Sequence, residues 1–126
     1  MRQAVTTAKA PKPAGPYSQA IIDGDLVYLA GQGPGHPDTG ALETGDVRAQ
    51  TERTIRNIEA VLEAAGSSLD RVLRCTVYLK DIADFAAMNE VYARTFEPPY
   101  PARTTIQAAA LPGGIAVEIE CTARRG

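Results

Sequence analysis

Tryptophan is absent, histidine occurs once, and cysteine, methionine and phenylalanine occur twice each. Two phenylalanines and five tyrosines are too few for a platform that stacks nucleic-acid bases. Positive charge is not in excess either. Thirteen Lys and Arg against fifteen Asp and Glu leave a net charge of −2, which excludes a nucleic-acid binder held by bulk electrostatics. The two cysteines, Cys75 and Cys121, cannot build a disulfide framework and fit a reducing compartment. A lone histidine, His36, surrounded by turn residues, supplies neither a zinc ligand set nor a Ser-His-Asp relay. No metal is expected. No apolar run approaches the roughly 18 residues of a membrane-spanning helix. The opening MRQAVTTAKAPKPAGPYSQ has no apolar core of signal-peptide length. The expectation is a cytoplasmic protein without membrane or nucleic-acid partners.

What remains is ordinary globular material: 126 residues, 44% hydrophobic and 22% charged, enough for a single domain over residues 1–126. Pro11 to Pro16 reads as an extended entry segment. Asp23-Gly24, between Ala20-Ile21-Ile22 and Leu26-Val27-Tyr28-Leu29, is a hairpin signal, because glycine accepts the positive φ of a tight turn. A breaker-rich stretch follows, with room for a short strand. Asp46 is placed to cap a helix that Gly66 stops. Val47, Thr51, Ile55, Ile58, Leu62 and Ala65 recur at helical spacing, and Arg48, Glu52, Arg53, Arg56, Glu59 and Glu63 fall on other faces. Residues 72–80 alternate, with Leu73, Cys75, Val77 and Leu79 on one side and Arg74, Thr76, Tyr78 and Lys80 on the other. Asp81 or Asp84 opens a second helix with Phe85, Met88, Tyr92 and Phe96 inward, and the prolines at 98, 99 and 101 end it. Strands over 103–108 and 115–124 close the chain, the latter with Ile115, Val117, Ile119, Cys121 and Ala123 on one face.

This order predicts an α+β fold, a mixed sheet with two helices packed on one face. The other face then carries Thr76, Tyr78, Glu118, Glu120 and Thr122, which reads equally as a solvated surface or as an interface between copies. Among candidates for chemistry, Gly31-Gln32-Gly33-Pro34-Gly35 resembles a phosphate-cradling loop but lacks the Lys-Ser/Thr of a P-loop. Arg103, mounted on a strand behind Pro101, is a natural fork for a small carboxylate, or else the partner of Glu118 or Glu120. Glu118 is either a proton shuttle in a dry cleft or a solvated glutamate. Asn89 shares the inward stripe of the second helix, where its amide must be hydrogen-bonded to backbone or ligand. Cys75 and Cys121, on apolar strand faces, read as inert buried thiols.

Taken together, Gly15-Pro16-Tyr17-Ser18-Gln19-Ala20, Ala30-Gly31-Gln32, Asn57 with Ala64-Ala65-Gly66, Asn89-Glu90-Val91-Tyr92, Pro101-Ala102-Arg103-Thr104, Leu111-Pro112 and Glu118-Ile119-Glu120 stand in the order and spacing of one family. Over residues 3–124 the chain resembles the RidA/YjgF reactive-intermediate deaminases. The resemblance implies a chorismate-mutase-like fold and a homotrimeric barrel, with helices outside and a cleft between each pair of neighbouring subunits. It implies no cofactor. The implied activity is hydrolysis of 2-imino acids, such as 2-iminopropanoate and 2-iminobutanoate, to 2-oxo acids and ammonia. Residue by residue, Arg103 matches the arginine that binds the substrate carboxylate and Glu118 the glutamate that activates water. Tyr17, Phe85 and Asn89 match residues lining the cleft, and Gly31 a backbone contact to the ligand. Thr105 stands where several deaminases carry cysteine, and Ala30 where many carry serine. The first alternative is a trimer that binds small carboxylates without turnover. The second is a hydrolase of a related small nitrogen compound.

Overall fold

The computed structural model describes residues 2–126. Its strands are β1 (Gln3–Val5), β2 (Ala20–Asp23), β3 (Leu26–Gln32), β4 (Val72–Leu79), β5 (Ala102–Gln107) and β6 (Val117–Arg124), with helices α1 (Val47–Ala64) and α2 (Phe85–Thr95). All six strands form one sheet in the order β1-β2-β3-β6-β4-β5. Only β4 and β5 are parallel, and α2 makes the crossover that a parallel pair requires.

Each helix end has a local cause. Asp46 accepts a hydrogen bond from Ala49 N at 3.1 Å and so caps α1. At the other end Gly66 takes a φ of 81°, Ser67 N donates to the Leu62 carbonyl at 2.8 Å, and Gly66 N donates to that of Glu63 at 3.1 Å. Those two bonds are a Schellman stop, which needs a residue free to turn left-handed. Asp81 rather than Asp84 caps the approach to α2, accepting from Ala83 N at 2.9 Å into the single turn Ile82–Asp84.

The core lies between the helices and one sheet face. Ile55, Ile58, Val61 and Leu62 of α1 and Met88 and Val91 of α2 are fully buried with Val27, Val77, Leu79, Val117 and Ile119 from the sheet. Burial of whole aliphatic side chains, about 1.5–3 kcal/mol each, is the main stabilising term. The last strand behaves as its alternation predicts: Val117, Ile119, Cys121 and Ala123 point inward, and Glu118, Glu120 and Thr122 stay half-buried on the opposite side. No described helix is long and apolar enough to cross a membrane.

Several expectations are corrected. The three-residue β1 has no counterpart in the sequence pattern; it is too short to show a period, and pairing with β2 alone creates it. The short strand expected after Gly31 is only an isolated bridge between Gly35 and Leu42. Leu73 is not inward but 45% exposed, because a β-bulge between Val72 and Arg74 shifts the register against β6. Phe85, at the first turn of α2, is 42% exposed. The strand expected over 103–108 runs from Ala102 to Gln107, and β6 begins at Val117. Though consecutive in the chain, β5 and β6 are separated in the sheet by β4.

One buried polar side chain ties these layers together. Asn57 of α1 donates from Nδ2 to the carbonyls of Gly33 at 3.0 Å and Gly35 at 2.8 Å, and accepts from Arg53 Nη2 at 2.9 Å. It satisfies the backbone of the loop leaving β3 where no strand can. Asn57→Ala would strand both carbonyls, so a loss of about 2–4 kcal/mol is expected in urea unfolding. A loss below about 1 kcal/mol would mean that the loop finds its partners elsewhere.

Candidate functional site

Arg103 is held by the parallel register of the sheet edge. It lies opposite Cys75, and Thr105 opposite Val77. Cys75 and Val77 are buried under the helices, so Arg103 and Thr105 face the same way. There the guanidinium meets α2. Its carbon lies 4.6 Å from the Tyr92 ring centre and 5.5 Å from that of Phe85, and Nη1 is 3.9 Å from the Met88 sulfur. Arg103 makes no ion pair with any described carboxylate. The alternative of a structural pair with Glu118 or Glu120 is therefore overturned. Beside it opens a cleft of about 280 Å³, lined by Asn89, Tyr92, Ala93, Tyr100, Pro101 and Arg103.

Two polar atoms of the cleft lining, Asn89 Oδ1 and the Tyr92 hydroxyl, are buried and make no hydrogen bond, and neither does Thr105 Oγ1, two residues beyond Arg103 on β5. Buried polar groups are nearly always paired, so two orphans lining a cleft beside a guanidinium that has no carboxylate partner single that cleft out. Burial, with the neighbouring Cys75, pushes the Tyr92 phenol up, so it remains a neutral hydroxyl.

Glu118 lies on the other face. In the antiparallel register it stands opposite Tyr78, and Glu120 opposite Thr76. Burial raises the Glu118 carboxyl above the ordinary glutamate value, and the charge of Glu120 adds to the rise. Glu120 takes the Tyr78 hydroxyl as its donor. That bond to a carboxylate also raises the Tyr78 phenol. The Glu118 carboxylate accepts no hydrogen bond from a described residue. Gly31 belongs to the same corner, on the irregular stretch between Leu29 and Gln32 where β3 shifts register against β6. A Cβ at Gly31 would strike the Glu118 carboxylate, so the glycine provides the space that the carboxylate occupies.

Tyr17 is 52% exposed in the loop before β2, its hydroxyl accepting from Ala14 N at 3.1 Å. Buried Gln19 pins that loop through Thr7 N at 2.7 Å and the Pro11 carbonyl at 2.9 Å. The Gln19 carbonyl accepts from Ala30 N at 3.0 Å, which sets the Tyr17 loop alongside the Gly31 corner. His36 reaches only Glu43, at 3.2 Å. No described group of His, Cys, Asp and Glu side chains is arranged to hold a metal. Cys75 and Cys121 are buried, free and directly opposite each other. The contact between the two thiols, together with burial, holds the Cys121 thiol up, and the same contact lowers that of Cys75.

The site residues read from the sequence thus fall into two groups. Arg103, Phe85, Asn89 and Thr105 gather on the helix-covered face, and Glu118 and Gly31 on the open face, with the sheet between them. A single chain does not bring Arg103 and Glu118 together. Tyr92 and Met88 were legible only as core stripe. Their contact with Arg103 depends on the parallel pairing of β4 and β5, for which the sequence has no local signal.

The description "Endoribonuclease L-PSP" belongs to the family model that matches residues 7–125. A RutC family protein of Pyrococcus abyssi is 49% identical over 122 residues, covering 97% of this chain and 96% of its own. The human 2-iminobutanoate/2-iminopropanoate deaminase is 40% identical over 126 residues, covering 100% of this chain and 92% of its own. Among solved structures, E. coli TdcF with bound serine superimposes with a TM-score of 0.92 at 36% identity, covering 98% of this chain and 99% of that one. With the mixed sheet, its two helices and these matches together, the chain belongs to the RidA/YjgF family, the Endoribonuclease L-PSP group.

Proposed function

We propose that this protein hydrolyses small 2-imino acids, such as 2-iminopropanoate and 2-iminobutanoate, to 2-oxo acids and ammonia, in clefts shared between the copies of a homotrimer. The observation that carries the proposal is Arg103, a guanidinium without a carboxylate partner, facing a cleft with two unpaired polar atoms, Asn89 Oδ1 and the Tyr92 hydroxyl. A planar fork of this kind takes a carboxylate through two parallel charge-assisted bonds. The deaminase name of the human relative and the serine in the TdcF structure support a ligand of amino-acid size with a carbon–nitrogen bond. The free cysteines support a reducing, cytoplasmic setting.

The sharing between copies follows from the sheet. Arg103 and Glu118 lie on opposite faces, so a site with both draws them from two chains. The open face suits such an assembly. No helix covers it, and Tyr28 and Ile106, both 45% exposed, flank the Tyr78, Glu118 and Glu120 group.

The chemistry is light. In the proposed reaction Arg103 holds the carboxylate and, with Asn89 and Thr105, fixes the imine carbon toward a water molecule. Tyr17 and the Gly31 corner close the other side. Water adds to the protonated imine (iminium) while Glu118 from the neighbouring copy takes one of the water's protons, giving a neutral carbinolamine. Glu118 returns that proton to nitrogen and, as the C–N bond breaks, takes the hydroxyl proton, releasing ammonia and the 2-oxo acid. A carboxyl with a raised pKa is the better shuttle near neutral pH, and help of this kind is worth about 10²–10⁴ in rate. The imine is already electrophilic, so neither a covalent nucleophile nor a cofactor enters the scheme. The alternative, a trimer that binds small carboxylates without turnover, is favoured by Ala30, which lacks the hydroxyl that serine would offer beside Gly31.

The imine generated in situ and trapped with semicarbazide tests the activity. Micromolar protein is expected to suppress trapping, and Arg103→Ala to abolish the suppression with assembly intact; no suppression by the unaltered protein leaves the binder. Glu118 must start ionised, so kcat/KM is expected to fall on the acid side with a midpoint above the ordinary glutamate value. Glu118→Gln should remove that limb and about 10²–10⁴ of the rate, and an unchanged profile would take the shuttle away from Glu118. Arg103→Ala and Glu118→Gln chains co-expressed in equal amounts should recover about a quarter of the sites, because each site of a cyclic trimer draws one residue from each of two neighbours. No recovery over either variant alone would sink the two-chain site.

A further inference from the structure

A half-buried arginine ordinarily sits against a carboxylate, and Arg103 does not. Its neighbours are two aromatic rings and a thioether: Tyr92 at 4.6 Å, Phe85 at 5.5 Å and the Met88 sulfur at 3.9 Å from Nη1. All three come from one stripe of α2, at positions 85, 88 and 92, which helical spacing stacks on one side. Two of the three need no further explanation, since Met88 and Tyr92 are also core residues. Phe85 is different. It is 42% exposed and adds little to the core, yet its ring is turned to the guanidinium.

We infer that Phe85 and Tyr92 are positioning residues that hold the Arg103 guanidinium by their ring faces and so keep its N–H fork free for an incoming carboxylate. The physical reason lies in which part of the guanidinium each partner uses. A carboxylate partner attracts the cation but consumes the fork, because it accepts two of the N–H bonds in the plane. An aromatic face attracts the same cation through its quadrupole and accepts none of them. Rings therefore fix the plane and the charge of Arg103 at no cost in donors. They also displace water from its faces, so less hydration is lost when a ligand arrives. A lysine would also be drawn to these rings, but its ammonium has no plane for them to orient and no fork to keep free. The residue matched from sequence to the lining of the cleft, Phe85, thus acts through the arginine rather than on the substrate itself.

The inference rests on the reading of Arg103 as the carboxylate clamp, and one experiment separates the two. Binding of 2-oxobutanoate, a stable 2-oxo carboxylate, is measured by calorimetry on the assembled protein and on Phe85→Leu, Phe85→Tyr, Tyr92→Leu and Arg103→Ala, with size and Tm recorded for each. Arg103→Ala is expected to abolish binding. Phe85→Leu, at an exposed position that folding does not depend on, should weaken Kd about 3–10-fold, the usual worth of one cation–π contact. Phe85→Tyr, which restores a ring face, should return Kd to within about twofold of the unaltered protein. Tyr92→Leu, where it folds, should weaken binding at least as much, and in turnover both leucine variants should raise KM far more than they lower kcat. Loss in Arg103→Ala with unchanged binding in Phe85→Leu would keep the clamp and overturn the ring mounting. A Phe85→Leu loss that Phe85→Tyr fails to restore would overturn it too, since shape rather than the π face would then matter. Unchanged binding in Arg103→Ala would instead remove the clamp itself.

Discussion

The alternation of β6 is the constraint on which the rest depends. This strand runs through the middle of the sheet, between β3 and β4, and every second side chain is fully committed to the core. Val117, Ile119, Cys121 and Ala123 cannot turn outward without giving up the apolar burial that holds α1 against the sheet. Glu118 and Glu120 are thereby forced onto the face that the helices leave open. A sheet has only two faces, so the position of the carboxylates is settled by where the aliphatic residues must go.

Arg103 is governed by the same rule with the opposite result. On β5 it shares the parity of Cys75 and Val77 and therefore looks toward α2. Its charge enters a region of aromatic and thioether groups, where an unpaired ion is costly unless something attracts it without neutralising it. The ring faces of Tyr92 and Phe85 meet that need. Arg103 and Glu118 are thus kept apart within the chain, one a cation without a carboxylate partner and the other a carboxyl whose pKa burial raises. In the assembly proposed, the sheet that separates them in one copy is what makes the copies necessary.

Much of this was legible in the residues, and what was missed has physical causes. The apolar stripe of α1, its Asp46 cap, its Gly66 stop and the Asp23-Gly24 turn are local signals, carried by side chains within a few positions of one another. Leu73 was misread because a bulge changes parity without any mark in the sequence. β1 was missed because three residues have no period, and Phe85 was set in the core because helical spacing shows which side a residue occupies but not how deep it lies. Gly31 was legible as a close-approach glycine, but what approaches it, the Glu118 carboxylate, lies 87 positions further along the chain.

Periodicity, caps and short motifs, each contiguous in the chain, suffice for the elements from β2 onward, the two-helix coverage of one sheet face and the family. The sequence also named Arg103 and Glu118. The tertiary structure alone shows that these two lie on opposite sides of the sheet, that Arg103 stands on aromatic rings rather than against a carboxylate, and that the Glu118 carboxylate occupies the space beside Gly31. Those facts depend on strand order and register. Register is set by the simultaneous fit of distant apolar surfaces, and no local stretch of residues encodes it.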